Sequence, residues 1–197
     1  MKSSVVDSIL SLKRPIYGAL ISCWLLSSFT INSSWASPTS HSDSSNNVTR
    51  ESDCELTDQK REMLTQINEI RSQEQECGSQ HLPAAEPLTW SCTLEEAAHK
   101  HSQDMAENDY FSHTSPDGSE IQNRVSDSGY EWQAVGENIA AGHLSSSAAI
   151  EGWLESPGHC RNLMSDAFSE MGIAEAKSAS SDATFPSYWT QILANPR

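Results

Sequence analysis

Basic residues are scarce in this chain of 197 residues: 12 Lys and Arg stand against 27 Asp and Glu, a formal net charge of −15. Phosphate binding needs a basic face, so the deficit argues against nucleic acid as a partner and against charge-driven docking on anionic headgroups. Long apolar runs are lacking too. The best stretch, residues 16–31, is short and interrupted by serine, which argues against a membrane span. No His-Glu-x-x-His run is present, which removes the common zinc-protease helix. There is no Gly-x-Ser-x-Gly elbow and no glycine-rich phosphate loop. The cysteines do not form the close pairs of a zinc knuckle, and no segment repeats.

What is present begins with a leader. Lys13 and Arg14 flank the apolar stretch, and Ser34-Trp35-Ala36 offers the small residues that a signal peptidase reads. Residues 1–36 therefore read as a secretory signal peptide, which predicts an extracellular or periplasmic location. Leu20-Ile21-Ser22-Cys23 is a second reading, a lipoprotein box that would place a lipid on Cys23; an uncleaved anchor is a third. Residues 37–53 are Ser, Asn, Thr and Asp with almost no large apolar side chain, the composition of a disordered spacer. The domain then spans 54–197. Without the leader, nine basic and 26 acidic residues remain, a formal charge of −17 that is compatible with binding cations. Four cysteines remain as well: Cys54, Cys77, Cys92 and Cys160. An even count behind a secretory signal suggests two disulfides, and four cysteines allow three connectivities. Cys77–Cys160 with Cys54–Cys92 is our working pairing; free thiols are the other reading.

Hydrophobic spacing predicts helices first and strands last. Thr57 can cap a helix of about 20 residues ended by Gly78, with Met63, Leu64, Ile67, Ile70 and Arg71 on one stripe. Residues 79–89, with Pro83 and Pro87, read as a loop. A second helix runs from about Thr93 to Asn108. Ser119 with Gln122 makes a capping box for a short third helix stopped by Gly129. Residues 135–141 are a strand or an extended loop. A fourth helix starts at 145–147 and is broken by Pro157-Gly158. Residues 171–174 and 188–193 alternate with period two and predict an antiparallel hairpin with a long loop. The order implies an α+β layer fold rather than alternating βαβ units.

Two imidazoles and two carboxylates are the candidate site: His113, Glu137, Glu155 and His159. Such a set can hold a cation or move protons. Glu155 and His159 are four apart, but Pro157-Gly158 between them breaks a regular helix, so they flank a helix end and a turn. Glu137 follows Gly136, where the backbone can approach a neighbour closely. Each residue alone is more often a solvated or structural side chain than a functional one. His101 lies on an apolar stripe and reads as a packed core histidine, while Glu95 and His99 are spaced to pair on the surface. Ser112 beside His113 has no evident third group, which leaves a serine nucleophile without support.

Taken together, the motifs resemble the CAP superfamily, also called the SCP domain, which includes cysteine-rich secretory proteins, antigen 5 and pathogenesis-related proteins of group one. The matching runs are Ile67-Asn68-Glu69-Ile70-Arg71, Leu88-Thr89-Trp90, His101-Ser102-Gln103-Asp104-Met105-Ala106, Phe111-Ser112-His113 and Gly136-Glu137-Asn138-Ile139-Ala140. They continue with Gly152-Trp153, Ser156-Pro157-Gly158-His159-Cys160-Arg161-Asn162, Met171-Gly172-Ile173-Ala174 and Tyr188-Trp189-Thr190-Gln191. The Ser-Pro-Gly-His run is similar to the bacterial secreted branch. The resemblance implies an α-β-α sandwich, with a small antiparallel sheet between helical layers. It also implies a cleft whose His/Glu tetrad can hold a divalent cation, zinc or another. His113 and Glu137 match the family pattern directly. In eukaryotic members the second Glu falls at the position of Ser156, with Glu155 one residue earlier, and His159 takes the place of a histidine that those members draw from a later run. The implied function is a secreted, non-enzymatic binding module, acting as a monomer on a small molecule, a lipid or a cell-surface component. A metal-dependent hydrolase of peptides or esters, with Glu137 as general base, is the alternative.

Overall fold

The computed structural model describes residues 55–197. The leader at 1–36, the spacer at 37–53, Cys23 and Cys54 lie outside the described residues, and with them the Cys54 half of the second disulfide expectation. Among the described residues no helix is long and apolar enough to cross a membrane.

Thr57 caps the first helix, α1 (Asp58–Arg71), its hydroxyl accepting from the Lys60 N–H at 3.3 Å. The helix stops at Arg71, seven residues before Gly78. That glycine has φ +71° and serves the turn between two short strands, β1 (Gln75–Cys77) and β2 (Gln80–Leu82). The expected 20-residue helix and the loop over 79–89 are thus corrected together. A positive φ suits a tight hairpin as well as it suits a helix end. Strand β3 (Thr89–Trp90) leads into α2 (Cys92–Asn108), which ends on Asp109 in the left-handed conformation. The third helix, α3 (Ile121–Asp127), begins one residue later than the expected capping box: Asn123 Oδ1 accepts from the Glu120 N–H at 3.1 Å. Strand β4 (Trp132–Ala141) settles the strand-or-loop question in favour of a strand. After α4 (Ser146–Glu155), Pro157 starts a helix instead of a turn. It occupies the first turn of α5 (Pro157–Leu163), where its missing N–H has no partner to lose. The hairpin of β5 (Glu170–Lys177) and β6 (Ser187–Pro196) forms as the period-two pattern predicts.

The main sheet has strand order β3-β5-β6-β4, antiparallel except for the short parallel pairing of β3 with β5. Its central strand β6 is buried from Ser187 to Ala194, so both faces are covered. Alternation divides the side chains between the two faces. Met171, Ile173, Trp189 and Leu193 pack with Met63, Ile67, Ile150, Trp153 and Leu163 from α1, α4 and α5. Ala174, Ile192 and Ala194 pack with Leu94, Ala97, Ala98 and Val125 from α2 and α3. This is the α-β-α sandwich. Helix α2 lies so close to β5 that a Cβ at Gly172 would fall 2.1 Å from the Glu95 nitrogen. Ser102 fixes the contact, its hydroxyl reaching the Ala174 carbonyl at 3.1 Å and Thr190 Oγ1 at 2.8 Å.

Cys77 and Cys160 are joined, tying the β1–β2 hairpin to α5 across 83 residues of sequence. Cys92 is disulfide-bonded as well.

Candidate functional site

Strand β4 is an edge of the sheet, and the candidate site forms along it. Glu137 lies opposite Ile192, on the face covered by α2 and α3. Its neighbour Gly136 carries no side chain because the Phe168 ring sits there: a Cβ would be 2.7 Å from Phe168 Cζ. The Glu137 side chain is only 3% exposed. An ionised carboxylate that deep needs partners on both oxygens. Oε1 lies 2.7 Å from His113 Nδ1. Oε2 accepts from Arg124 Nη2 at 2.6 Å. His101 Nε2 is 3.9 Å from Oε1, too far for a hydrogen bond, and donates to the Ser112 carbonyl at 3.1 Å. Burial by itself would raise the Glu137 pKa; the His113 hydrogen bond and the nearby charges of Arg124 and His101 outweigh it and hold the carboxyl below its usual range.

Arg124 is the residue that the sequence did not announce. It comes from α3, its side chain is 10% exposed, and it donates to the His113 carbonyl at 3.0 Å and the Ser119 carbonyl at 3.1 Å besides Glu137. One guanidinium therefore ties the loop bearing His113 to the carboxylate that His113 contacts. A signal existed: Arg124 shares a helix face with Ile121 and Val125, the two apolar residues of that short helix.

On the other side of β4, Asn138 and Asn162 form a polar bridge. Asn138 Nδ2 donates to Gln191 Oε1 at 2.9 Å and to the His159 carbonyl at 3.3 Å. Asn162 Nδ2 donates to Asn138 Oδ1 at 2.9 Å and to the Glu137 carbonyl at 3.1 Å. This holds α5 against the edge strand and places the His159 ring 6.5 Å, centroid to centroid, from that of His113. Burial first, and then the charge of His113, lower the His159 pKa, which favours neutral imidazole.

Of the four sequence-predicted residues, His113, Glu137 and His159 come together. Glu155 is the exposed last residue of α4 and shares no hydrogen bond, ion pair or ring contact with the other three. Among the described residues no group of three or more His, Cys, Asp or Glu side chains is placed to hold a metal ion. His101 is buried, as the apolar stripe predicts. Glu95 is engaged by Lys60 at 2.8 Å and by the Trp90 indole N–H at 2.9 Å.

The model of the cysteine-rich secretory protein family (CAP) matches residues 64–193. "Uncharacterized membrane protein YlbC" of Bacillus subtilis (strain 168) is 38% identical over 86 residues, which are 44% of this chain and 25% of that protein. "Uncharacterized protein YkwD" of the same organism is 31% identical over 105 residues, 53% of this chain and 38% of that protein. The chain thus spans only a quarter to two-fifths of the length of these curated relatives. Among solved structures, an extracellular protein containing an SCP domain from Bacillus anthracis str. Ames is 31% identical with TM-score 0.55, covering 68% of this chain and 39% of that one. An outer surface protein from Borrelia burgdorferi, at 18% identity and TM-score 0.58, covers 73% of this chain and 96% of its own. At that identity the likeness is one of fold.

Proposed function

The chain belongs to the cysteine-rich secretory protein (CAP) family, and from that premise we propose that it is a secreted, non-enzymatic binding module whose cleft at His113 and His159 holds a divalent cation, zinc before others. One observation carries this reading: the His113 Nδ1–Glu137 Oε1 contact of 2.7 Å. A buried carboxylate accepting from Nδ1–H fixes the tautomer and leaves the lone pair of Nε2 free, the carboxylate–histidine arrangement found behind metal-binding imidazoles. The half-buried His159 supplies the second imidazole. The donor set therefore fits a cation through two imidazoles, with Glu137 orienting His113. Each Glu137 oxygen already accepts one hydrogen bond, from His113 and from Arg124, which suits it to orienting, and Glu155 shares no hydrogen bond, ion pair or ring contact with the other three. A cation bound there would supply a Lewis-acidic centre for an oxygen of the ligand, which would be a small molecule, a lipid or a cell-surface component.

Calorimetric zinc titration tests the proposal. We expect saturable binding at one site, abolished by His113→Ala and by His159→Ala, and weakened about 10–100-fold by Glu137→Gln. Glu155→Ala should bind as wild type does. Equal, weak binding by wild type and both histidine variants would overturn the reading.

A further inference from the structure

The β1–β2 hairpin holds the start of α5 at two points. Cys77 is bonded to Cys160. Gly78, at the tip, comes so close that a Cβ there would fall 3.0 Å from Cβ and Cγ of Pro157. Its φ of +71° also disfavours any side chain. Pro157 opens α5, Cys160 follows in the same first turn, and His159 stands between them. The hairpin thus brackets the turn that carries the second imidazole of the cleft.

Neither partner supports itself. Helix α5 has seven residues, and an isolated helix of that length does not persist in water. Strands β1 and β2 have three residues each, and a two-stranded hairpin is marginal alone. Of the α5 side chains only Cys160 and Leu163 are buried. The bonded cysteines form a small apolar cluster with Met164, against which Ile70, Leu82 and Leu154 pack. The polar bridge from β4 acts mainly beyond this turn, through Asn162; Asn138 reaches the His159 carbonyl only at 3.3 Å. His113 is held differently. Glu137 and Arg124 fix it from β4 and α3, with no contribution from the hairpin. Loss of the disulfide should therefore release one imidazole and leave the other in place.

We propose that the Cys77–Cys160 bond is a positioning device for His159, so that the oxidation state of this pair sets cation affinity in the cleft. The inference deepens the cation reading and, for its affinity arm, rests on it. Reduction by a dithiol breaks the one S–S bond: two electrons and two protons pass to Cys77 and Cys160, and the dithiol closes to a disulfide. Both cysteines are buried, so this exchange belongs to the folding chain rather than to the closed native protein. Cation loading then follows disulfide formation, the order expected of a chain that matures in an oxidising compartment.

The test compares wild type with Cys77→Ala/Cys160→Ala, by NMR of the histidine rings without metal and by calorimetric zinc titration. We expect the His159 ring signals to shift and broaden in the double variant while those of His113 keep their wild-type positions; a general loosening would move both. Zinc affinity should fall about tenfold, as when an outer support of a metal ligand is removed. Gly78→Ala keeps the test open if the double variant does not fold. It lies at an exposed tip, retains the disulfide, and pushes against Pro157, so it should move the His159 ring alone. His159 signals at wild-type positions in the folded variant would overturn the proposal. So would equal movement of both rings, or zinc affinity within about twofold of wild type in the double variant. No zinc uptake by wild type would sink the cation reading, while the ring signals, recorded without metal, decide the positioning of His159 on their own.

Discussion

Arg124→Met is the sharpest perturbation of the cleft. Arg124 Nη2 and Glu137 Oε2 are 2.6 Å apart, and the two side chains are 10% and 3% exposed. Removing one partner of a buried pair leaves an uncompensated charge and costs about 3–5 kcal/mol. The same change frees the His113 and Ser119 carbonyls, at about 0.5–1.5 kcal/mol each. These costs overlap. His113 also still donates to Oε1, so we expect a net loss near the lower end, about 4 kcal/mol. For a domain of this size, each kcal/mol is worth roughly 2–4 °C, which predicts a melting point lower by about 8–16 °C. Urea unfolding followed by circular dichroism reads the free energy directly. The double variant Arg124→Met/Glu137→Leu removes both charges and should be more stable than Arg124→Met alone, because an apolar pair replaces an orphaned carboxylate. A single variant within about 1 kcal/mol of wild type, or a double variant whose loss equals the sum of the two singles, would refute the claim that Arg124 is the counter-charge of Glu137.

Two further outcomes follow from local geometry. Gly172→Ala should cost about 3 kcal/mol or more and leave little folded protein on expression, because the new methyl would meet the backbone of Leu94 and Glu95 rather than a movable side chain; a soluble variant with an unchanged urea midpoint would contradict the packing of α2 on β5. Asp109 is held below the usual carboxylate range by the Thr184 backbone N–H first, then by the Thr184 hydroxyl. A depressed folded-state pKa gives stability that is full above the unfolded value and is lost as the pH falls through the folded one. The contribution of Asp109 should therefore fade below about pH 4, near the unfolded value. Asp109→Asn should flatten that part of the acid unfolding profile, and parallel profiles for variant and wild type would contradict it.

The parts of this fold legible in sequence were those where one local rule acts. Thr57 caps α1 because its hydroxyl meets an N–H three residues on, a contact that needs no other part of the chain. The β5–β6 hairpin is visible because alternation survives even where both faces of β6 are buried. Misreadings came where one residue type serves two structures. Gly78 takes a positive φ in a hairpin turn instead of a helix end. Pro157 begins a helix instead of ending one, which moves His159 from a turn onto the first turns of α5. The same limit governs the site. His113 and Glu137 stand out by local context, but the guanidinium that stabilises Glu137 lies 13 residues away on another element, and no spacing rule connects them.

The state of Glu137 also weighs binding against hydrolysis. A general base must have a free lone pair facing the water it deprotonates, and a pKa near the working pH. Glu137 fails the second condition, and on the first it is restricted, with one acceptor site on each oxygen occupied. One oxygen receives His113 and the other Arg124, and the carboxyl sits below its usual range despite its burial. Active sites raise a carboxyl's pKa by apolar burial or a neighbouring carboxylate; here a guanidinium 2.6 Å away acts in the opposite direction. The same features suit an orienting group. A carboxylate that stays ionised across the physiological range, and that Arg124 cannot leave without exposing a buried charge, holds the His113 ring in one tautomer and one direction. If Glu137 orients rather than reacts, zinc affinity should fall in Glu137→Gln while ester and peptide turnover stays at background in both proteins. Turnover above background in wild type that is lost in Glu137→Gln would return the glutamate to the role of base.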